Sequence, residues 1–389
     1  MRIAIYNEPS GRQPGGSEYL VAVLAEALSR DHDVELVHHN ALLTREQLRN
    51  FTGSWLETVA VSCVPHQERS SERSALPWVR YRQARAWHRT LSAGRDLFIN
   101  VTHGIPPFCA ARQGVLLVLF PFSAPAHLSP QAGDRPDALR RAYHTWEWKR
   151  RLASYQATIS ISEYTQLWTL RRWGVDSAVV HPPVQYVSAS APKGPLVMSV
   201  GRFSGGRHSK RQEEMTRTFG ELVRDGFTGW RYLSVGGVSD AAVDQDFLRR
   251  VTAEAAGFPI TIRCNAPRDE LSSHYAAAAI FWHAAGYGEP DDAPELAEHF
   301  GISTVEAMAA GCVPIVINRG GQREIVEHGV TGFLWNTLDE LKHYTLLVAR
   351  DAALRSRVAE AARQRAACFT PDRFVARFRE AVAAQTVTV

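Results

Sequence analysis

The sequence predicts an α/β protein made of two doubly wound, Rossmann-like domains facing a cleft. Three observations carry that expectation: short apolar β-rich runs alternate with helical stretches from end to end, the series restarts after a proline-containing segment, and 389 residues suffice for two cores. In the first series Arg2 to Tyr6, Val34 to His38, Leu97 to Val101, Val115 to Phe120 and Thr158 to Ile161 read as buried parallel strands. Ser17 to Arg30 and Asp137 to Ser154 read as helices between them. After the stretch from His181 to Pro195, the strand candidates are Leu196 to Val200, Tyr232 to Val235, Ile260 to Arg263, Ile280 to His283 and Val313 to Asn318. The expected division is an N-terminal domain over 1–188, a second domain over 189–368 and a C-terminal segment over 369–389. That last segment opens with Phe369, Thr370 and Pro371, reads as a capped helix to about Ala384, and is free to pack back on the first domain.

Composition narrows the class. Hydrophobic residues make up 45% and charged residues 22% of the chain, the balance of an ordinary globular protein. The longest strongly apolar run, Val115 to Phe122, is far shorter than the roughly 20 residues that span a bilayer, and the N-terminus enters a strand at once. A cytoplasmic protein is therefore expected. Five scattered cysteines without a CxxC pair read as reduced thiols. The net charge of +4 is uneven, with 21 Lys/Arg against 16 Asp/Glu in residues 1–190. Between Arg69 and Arg95 there are seven arginines and one acid, Glu72, with Trp78, Tyr81 and Trp87 interleaved on a predicted helix. Such a helix either rests on an anionic membrane surface or is solvated with its aromatic side packed inward. No nucleic-acid motif accompanies it.

The chemistry concentrates in EHFGISTVEAMAAGCVPIVI. Glu298 precedes a glycine turn, and Glu306 falls one turn into an apolar helix expected to begin at Ser303, so both can face a ligand at that helix start. Free N–H groups and the positive dipole end hold phosphate, while two carboxylates suit the hydroxyls of a ribose and a hexose. The pair therefore reads either as a sugar-nucleotide site or as a solvated acid beside an ordinary cap. In the second domain's opening, VMSVGRFSGGRHSKRQEE, Arg202 follows a strand and Lys210 starts a helix, placing two cations where a leaving diphosphate could be neutralised. In the first domain Gly15, Gly16, Ser17 and Glu18 open a helix after the first strand; this is either a close approach to phosphate or a glycine turn with a serine cap, and it lacks the GxGxxG dinucleotide pattern. His103 ends the strand LFINVTHG, where a histidine binds a sugar hydroxyl or serves the structure. Asp291 and Asp292 lie in an acidic loop without a metal-ligand spacing, and no HExxH occurs among 15 histidines, so no metal is expected.

Taken together, GGSE near the first strand, VGRF followed by a lysine, the two glutamates seven residues apart around FGIS, GCVPIVINRGGQREIV and GVTGFLW resemble the retaining glycosyltransferases of family 4, which are group 1 glycosyl transferases of GT-B architecture. The resemblance is strongest from Val197 to Trp335. ISEYTQLWTLRRWGVDSAVVHPPV also resembles the end of the first domain in members that transfer mannose to lipid-linked oligosaccharides. The resemblance implies that Arg202 and Lys210 bind the diphosphate, that Glu298 and the backbone of Phe300, Gly301 and Ile302 hold donor sugar and phosphate, and that the helix start at Ser303 stabilises the leaving group. It implies ribose contacts for Glu306, an approach of Gly16 to the diphosphate and contact of His103 with the transferred sugar. The implied substrate is a nucleotide diphosphate sugar, GDP-mannose or a UDP-sugar, with no cofactor. The implied acceptor is a glycan, lipid-linked or small-molecule hydroxyl, attacked from the front face with retention. Gly205, Gly206, Arg207 and His208 lengthen the Arg202 to Lys210 interval relative to the family, and the segment Gly286 to Leu296 is also long. A sugar-nucleotide epimerase, a phosphorylase of like architecture and an inactive nucleotide-sugar-binding protein are the rival readings.

Overall fold

Uninterrupted apolar strands need burial on both faces, and a parallel sheet covered by helices provides it. The computed structural model describes residues 1–7, 15–40, 43–65, 77–101, 105–122, 138–184, 192–206 and 209–386. It contains two compact units, Met1–Pro183 with Pro371–Val389 and Val184–Thr370. The break falls after Pro183 rather than at 188, and the last helix belongs to the first unit.

The first unit's sheet comprises β1 (Arg2–Asn7), β2 (Asp33–His38), β3 (Ala60–Cys63), β4 (Leu97–Val101), β5 (Gln113–Val118), β6 (Ala157–Ser160) and β7 (Ala178–Val179), in the order β3-β2-β1-β4-β5-β6-β7. All pairs are parallel. Its helices are α1 (Gly16–Ser29), α2 (Arg45–Thr52), α3 (Pro77–Ser92), α4 (Ala138–Leu152) and α5 (Glu163–Trp173). The second unit holds β8 (Gly194–Val200), β9 (Arg231–Gly236), β10 (Ile260–Cys264), β11 (Ala278–His283), β12 (Val313–Ile317) and β13 (Phe333–Trp335), in the parallel order β10-β9-β8-β11-β12-β13. Around it lie α6 (Gln212–Arg224), α7 (Ala242–Ala255), α8 (Arg268–Ala277), α9 (Ile302–Ala309), α10 (Gln322–Ile325), α11 (Leu338–Arg350) and α12 (Ala352–Ala366). Strand order reverses between β1 and β4 in one unit and between β8 and β11 in the other, and such switch points open a crevice at the carboxyl ends of the strands.

Local chemistry sets the helix ends. Thr44 accepts from Gln47 N at 3.2 Å while Gln47 reaches back to Thr44 N, and Gly53 closes α2 at φ 70°. Ser162 caps α5 through Thr165 N, and Gly174 ends it at φ 66°. The final helix, α13 (Pro371–Thr386), is fixed to the first unit by the Gln385 amide, which accepts from Thr158 N and donates to Thr158 O. The second unit's core is built around Trp282, Trp335, Tyr232 and Phe219, with the Trp282 indole donating to Thr345 Oγ1 at 3.0 Å. Ala4, Tyr6, Phe98, Leu116 and Tyr155 pack together in the first unit.

His88 on α3 is 6% exposed and lies 5.6 Å from the Phe108 ring, ring centre to ring centre. Burial, reinforced by the Arg151 guanidinium, lowers its pKa to about 3. The unfolded chain therefore binds the extra proton first, and this contribution to stability is complete above about pH 6.5 and is lost as the pH falls toward 3. Lowering the pH from 7 to 5 is expected to remove about 2 kcal/mol through this group. Urea unfolding at both pH values should show that loss shrinking by a similar amount in His88→Gln; an unchanged loss would assign the titration elsewhere.

Candidate active site

At the second unit's switch point β8 delivers Gly201 and Arg202 from its carboxyl end, and β11 delivers His283 beside it. Arg202 is exposed and enters no ion pair among the described residues. The Gln212 side chain, at the start of α6, donates to Gly201 O at 2.9 Å and Arg202 O at 3.0 Å, which fixes the turn that carries the arginine. A Cβ on Gly201 would stand 2.6 Å from Lys210 Cγ. The lysine stem thus lies against the glycine next to Arg202, despite the long interval between the two cations in the sequence. A Cβ on Gly236, at the end of β9, would stand 1.9 Å from Gly201 O, so glycine is required there too.

Lys210 Nζ donates to Glu298 Oε2 at 2.5 Å, and His283 Nε2 lies 3.0 Å from the same oxygen. Burial disfavours the charged carboxylate, but the Lys210 ammonium and the His283 hydrogen bond outweigh it and hold the Glu298 pKa well below the usual range. For His283, burial dominates the opposing pull of Glu298, so its pKa is lowered and the ring is neutral. An ionised carboxylate only accepts, so Nε2 carries the ring proton. His283 Nδ1 is buried without a partner.

Glu298 leads into α9, which starts at Ile302 rather than Ser303. Gly301, at φ 120°, takes the capping position without a side-chain hydrogen bond, and Ser303 is the second helical residue. Gly301 O receives both Thr304 N and Val305 N, leaving the amides of Ile302 and Ser303 without an intrahelical acceptor. Phe300 is buried, whereas Ile302 and Ser303 are partly exposed. Two glycines press on this segment: a Cβ on Gly320 would meet Glu298 O at 2.2 Å, one on Gly321 would meet His299 O at 2.5 Å, and Gly321 N donates to Glu298 O at 2.8 Å. Beneath the helix start, Thr304 Oγ1 and both amide atoms of fully buried Gln322 have no partner.

Glu306 does not stand open beside Glu298. Its carboxylate is 6% exposed as a residue and receives Arg268 Nη2 at 2.7 Å on one oxygen and the Tyr275 hydroxyl at 3.0 Å on the other. Arg202, Lys210, Glu298 and the start of α9 are therefore gathered at one sheet edge, with Glu306 a turn deeper. His283, Gln212, Arg268 and Tyr275 were missed by sequence reasoning. His283 was legible, since it ends a predicted strand at the edge that singled out His103; the other three follow no motif.

In the first unit Gly16 is exposed and is the first residue of α1. The Glu18 carboxylate folds back there, accepting from Gly15 N at 2.7 Å and Ser17 Oγ at 2.9 Å. That helix start already holds an anion of its own. His103 lies outside the described residues.

Two parallel-sheet Rossmann-type units, one with cations and a helix start at its switch point, define a protein of the GT-B class. Residues 186–365 match the family of glycosyl transferases group 1, and the second unit belongs to that family. The chain is 29% identical over 193 residues to the GDP-Man:Man(3)GlcNAc(2)-PP-Dol alpha-1,2-mannosyltransferase of Dictyostelium discoideum, covering 45% of this chain and 35% of that protein. It is 26% identical over 241 residues to the Homo sapiens protein of the same description, covering 55% of this chain and 46% of that protein. The chain thus spans less than half the length of these relatives. The crystal structure of Anabaena HepE with UDP and glucose shares the fold at a TM-score of 0.68, with 17% identity over 97% of this chain and 99% of that one.

Removing the ammonium should expose the electrostatics of this cluster. Lys210→Met leaves Glu298 without its cation and is expected to cost about 1–3 kcal/mol at pH 7. Because the folded pKa of Glu298 is depressed, its contribution exists above about pH 4.3 and fades as acid approaches the folded value. Urea midpoints of Lys210→Met, Glu298→Gln and the double variant should show costs that do not add; simple additivity would refute the coupling.

Proposed function

We propose that the protein transfers a hexose from a nucleoside diphosphate sugar to an acceptor hydroxyl, with retention at the anomeric carbon. The observation that carries this reading is the convergence of exposed Arg202, Lys210 and the uncapped start of α9 at one switch point, within the unit that belongs to the glycosyl transferases group 1. As the bond between the anomeric carbon and the phosphate oxygen breaks, negative charge grows on the diphosphate. Arg202, Lys210 and the amides of Ile302 and Ser303 are the groups assigned to stabilise it. The acceptor oxygen forms the new bond on the same face, and its proton passes to the departing phosphate oxygen, so no separate base is needed.

Glu298, kept ionised by Lys210 and His283, accepts hydrogen bonds from sugar hydroxyls. Glu306 spends one lone pair of each oxygen on Arg268 and Tyr275 and retains others for a ribose. The names of the mannosyltransferase relatives make GDP-mannose the first donor to test and a lipid-linked glycan the first acceptor. UDP-sugars are the second choice, supported by the nucleotide in the Anabaena structure's description.

Thermal unfolding with a series of nucleoside diphosphates should single out one base, since a ligand at one hundred times its Kd stabilises by about 2.7 kcal/mol. With the matching sugar donor, labelled hexose should pass to acceptor without added metal and in the presence of EDTA, and the product should keep the donor's anomeric configuration. Arg202→Ala is expected to lower turnover roughly tenfold to a thousandfold at saturating donor. Full turnover in that variant, or an inverted product, would reject the assignment.

A further inference from the structure

We propose that one helical face of the first unit is a docking surface for an anionic lipid bilayer. The observation is a set of exposed basic and apolar side chains carried by three neighbouring helices. Tyr81 of α3 and Trp146 of α4 have ring centres 5.0 Å apart, and buried Trp148 of α4 stands 5.1 Å from Trp173 of α5, so each helix touches the next through aromatic side chains. Large apolar side chains that a folded unit would ordinarily cover lie outside: Trp78 is 60%, Trp146 43%, Leu167 42% and Leu170 52% exposed.

The charge has one sign. The segments of α3, α4 and α5 contain eleven Lys and Arg against two acids, Glu147 and Glu163. Glu147 is buried and taken by Arg151 at 2.6 Å, so it neutralises nothing outside. Among the described residues no carboxylate pairs with Arg82, Arg85, Arg89, Lys149 or Arg150, all of which are exposed. Arg85 and Arg150 lie over the Tyr81 and Trp146 rings, at 5.8 and 5.7 Å from the ring centres, so cation and aromatic are presented together.

Two features select a bilayer over a polyanion in solution. Exposed tryptophan and leucine gain nothing from a phosphate backbone but partition into the headgroup boundary, where an indole sits half in and half out of the apolar layer. Guanidinium groups beside them meet the lipid phosphates. No helix among the described residues is long and apolar enough to cross a membrane, so contact of this kind lies on the surface. The inference does not depend on the proposed reaction.

The test is flotation of the full chain with vesicles of phosphatidylcholine alone or with one third phosphatidylglycerol, without sugar donor. Binding is expected to the anionic vesicles only and to weaken as salt is raised. Arg82→Gln with Arg85→Gln and Arg89→Gln should reduce partitioning about a hundredfold, at roughly fivefold per arginine. Trp78→Ala with Trp146→Ala should weaken it independently of salt and remove quenching of tryptophan fluorescence by brominated lipid. Nucleotide-dependent thermal shifts in the same variants report folding and the second unit separately. Equal binding to both vesicle types, or retention in the arginine variant, would overturn the proposal. So would binding that ignores the tryptophan changes and is reproduced by an RNA oligomer, since a polyanion would then be the partner.

Discussion

The second unit depends on two stretches of backbone that touch. Gly320 and Gly321 lie directly on residues 298 to 300, at distances where a single methyl group on either glycine would collide with a carbonyl oxygen. Their contact fixes the carbonyl of Glu298 and, three residues on, the turn at Gly301 that starts α9. A carboxylate that must be held beside a lysine, and amides that must point at one place, need this kind of rigid support, because errors of an ångström at a charged site are costly. The strand that precedes the glycines, β12, is buried along its whole length.

Electrostatics at the same edge follow from placement. Burial pushes the Glu298 carboxyl toward its neutral form, and it stays charged because an ammonium and an imidazole N–H converge on one of its oxygens. The same enclosure keeps His283 neutral. The charge on Glu298 is thus set by its two partners and the neutrality of His283 by burial, and both follow from three chain segments meeting.

Much of this architecture was legible in the sequence, with a clear pattern to what was not. Every central strand was visible, because a run such as that of β4 or β11 is buried on both sides and must be apolar throughout. The strands that the sequence pattern does not reveal are β3, β7 and β13, all at a sheet edge: β3 is half-buried in its middle and exposed at both ends, and β7 has two residues. Such strands are held by one neighbour, and little in their composition reveals them. At the site, residues attached to a glycine turn or a strand end could be read: Arg202, Lys210 and Glu298. The start of α9 lies one residue before the serine that the sequence suggests, since backbone capping by a glycine at positive φ leaves no side-chain signal. Arg268 and Tyr275, which take both oxygens of Glu306, come from α8 through tertiary packing alone.

Chain order places the second unit inside the first, since α13 closes the sheet that β1 begins. Translation therefore makes every residue of the second unit before the first acquires the Gln385 amide that ties α13 to Thr158. The N-terminal portion is thus the first to be made and the last to be completed, because residues 371–386 supply the helix that packs on β6.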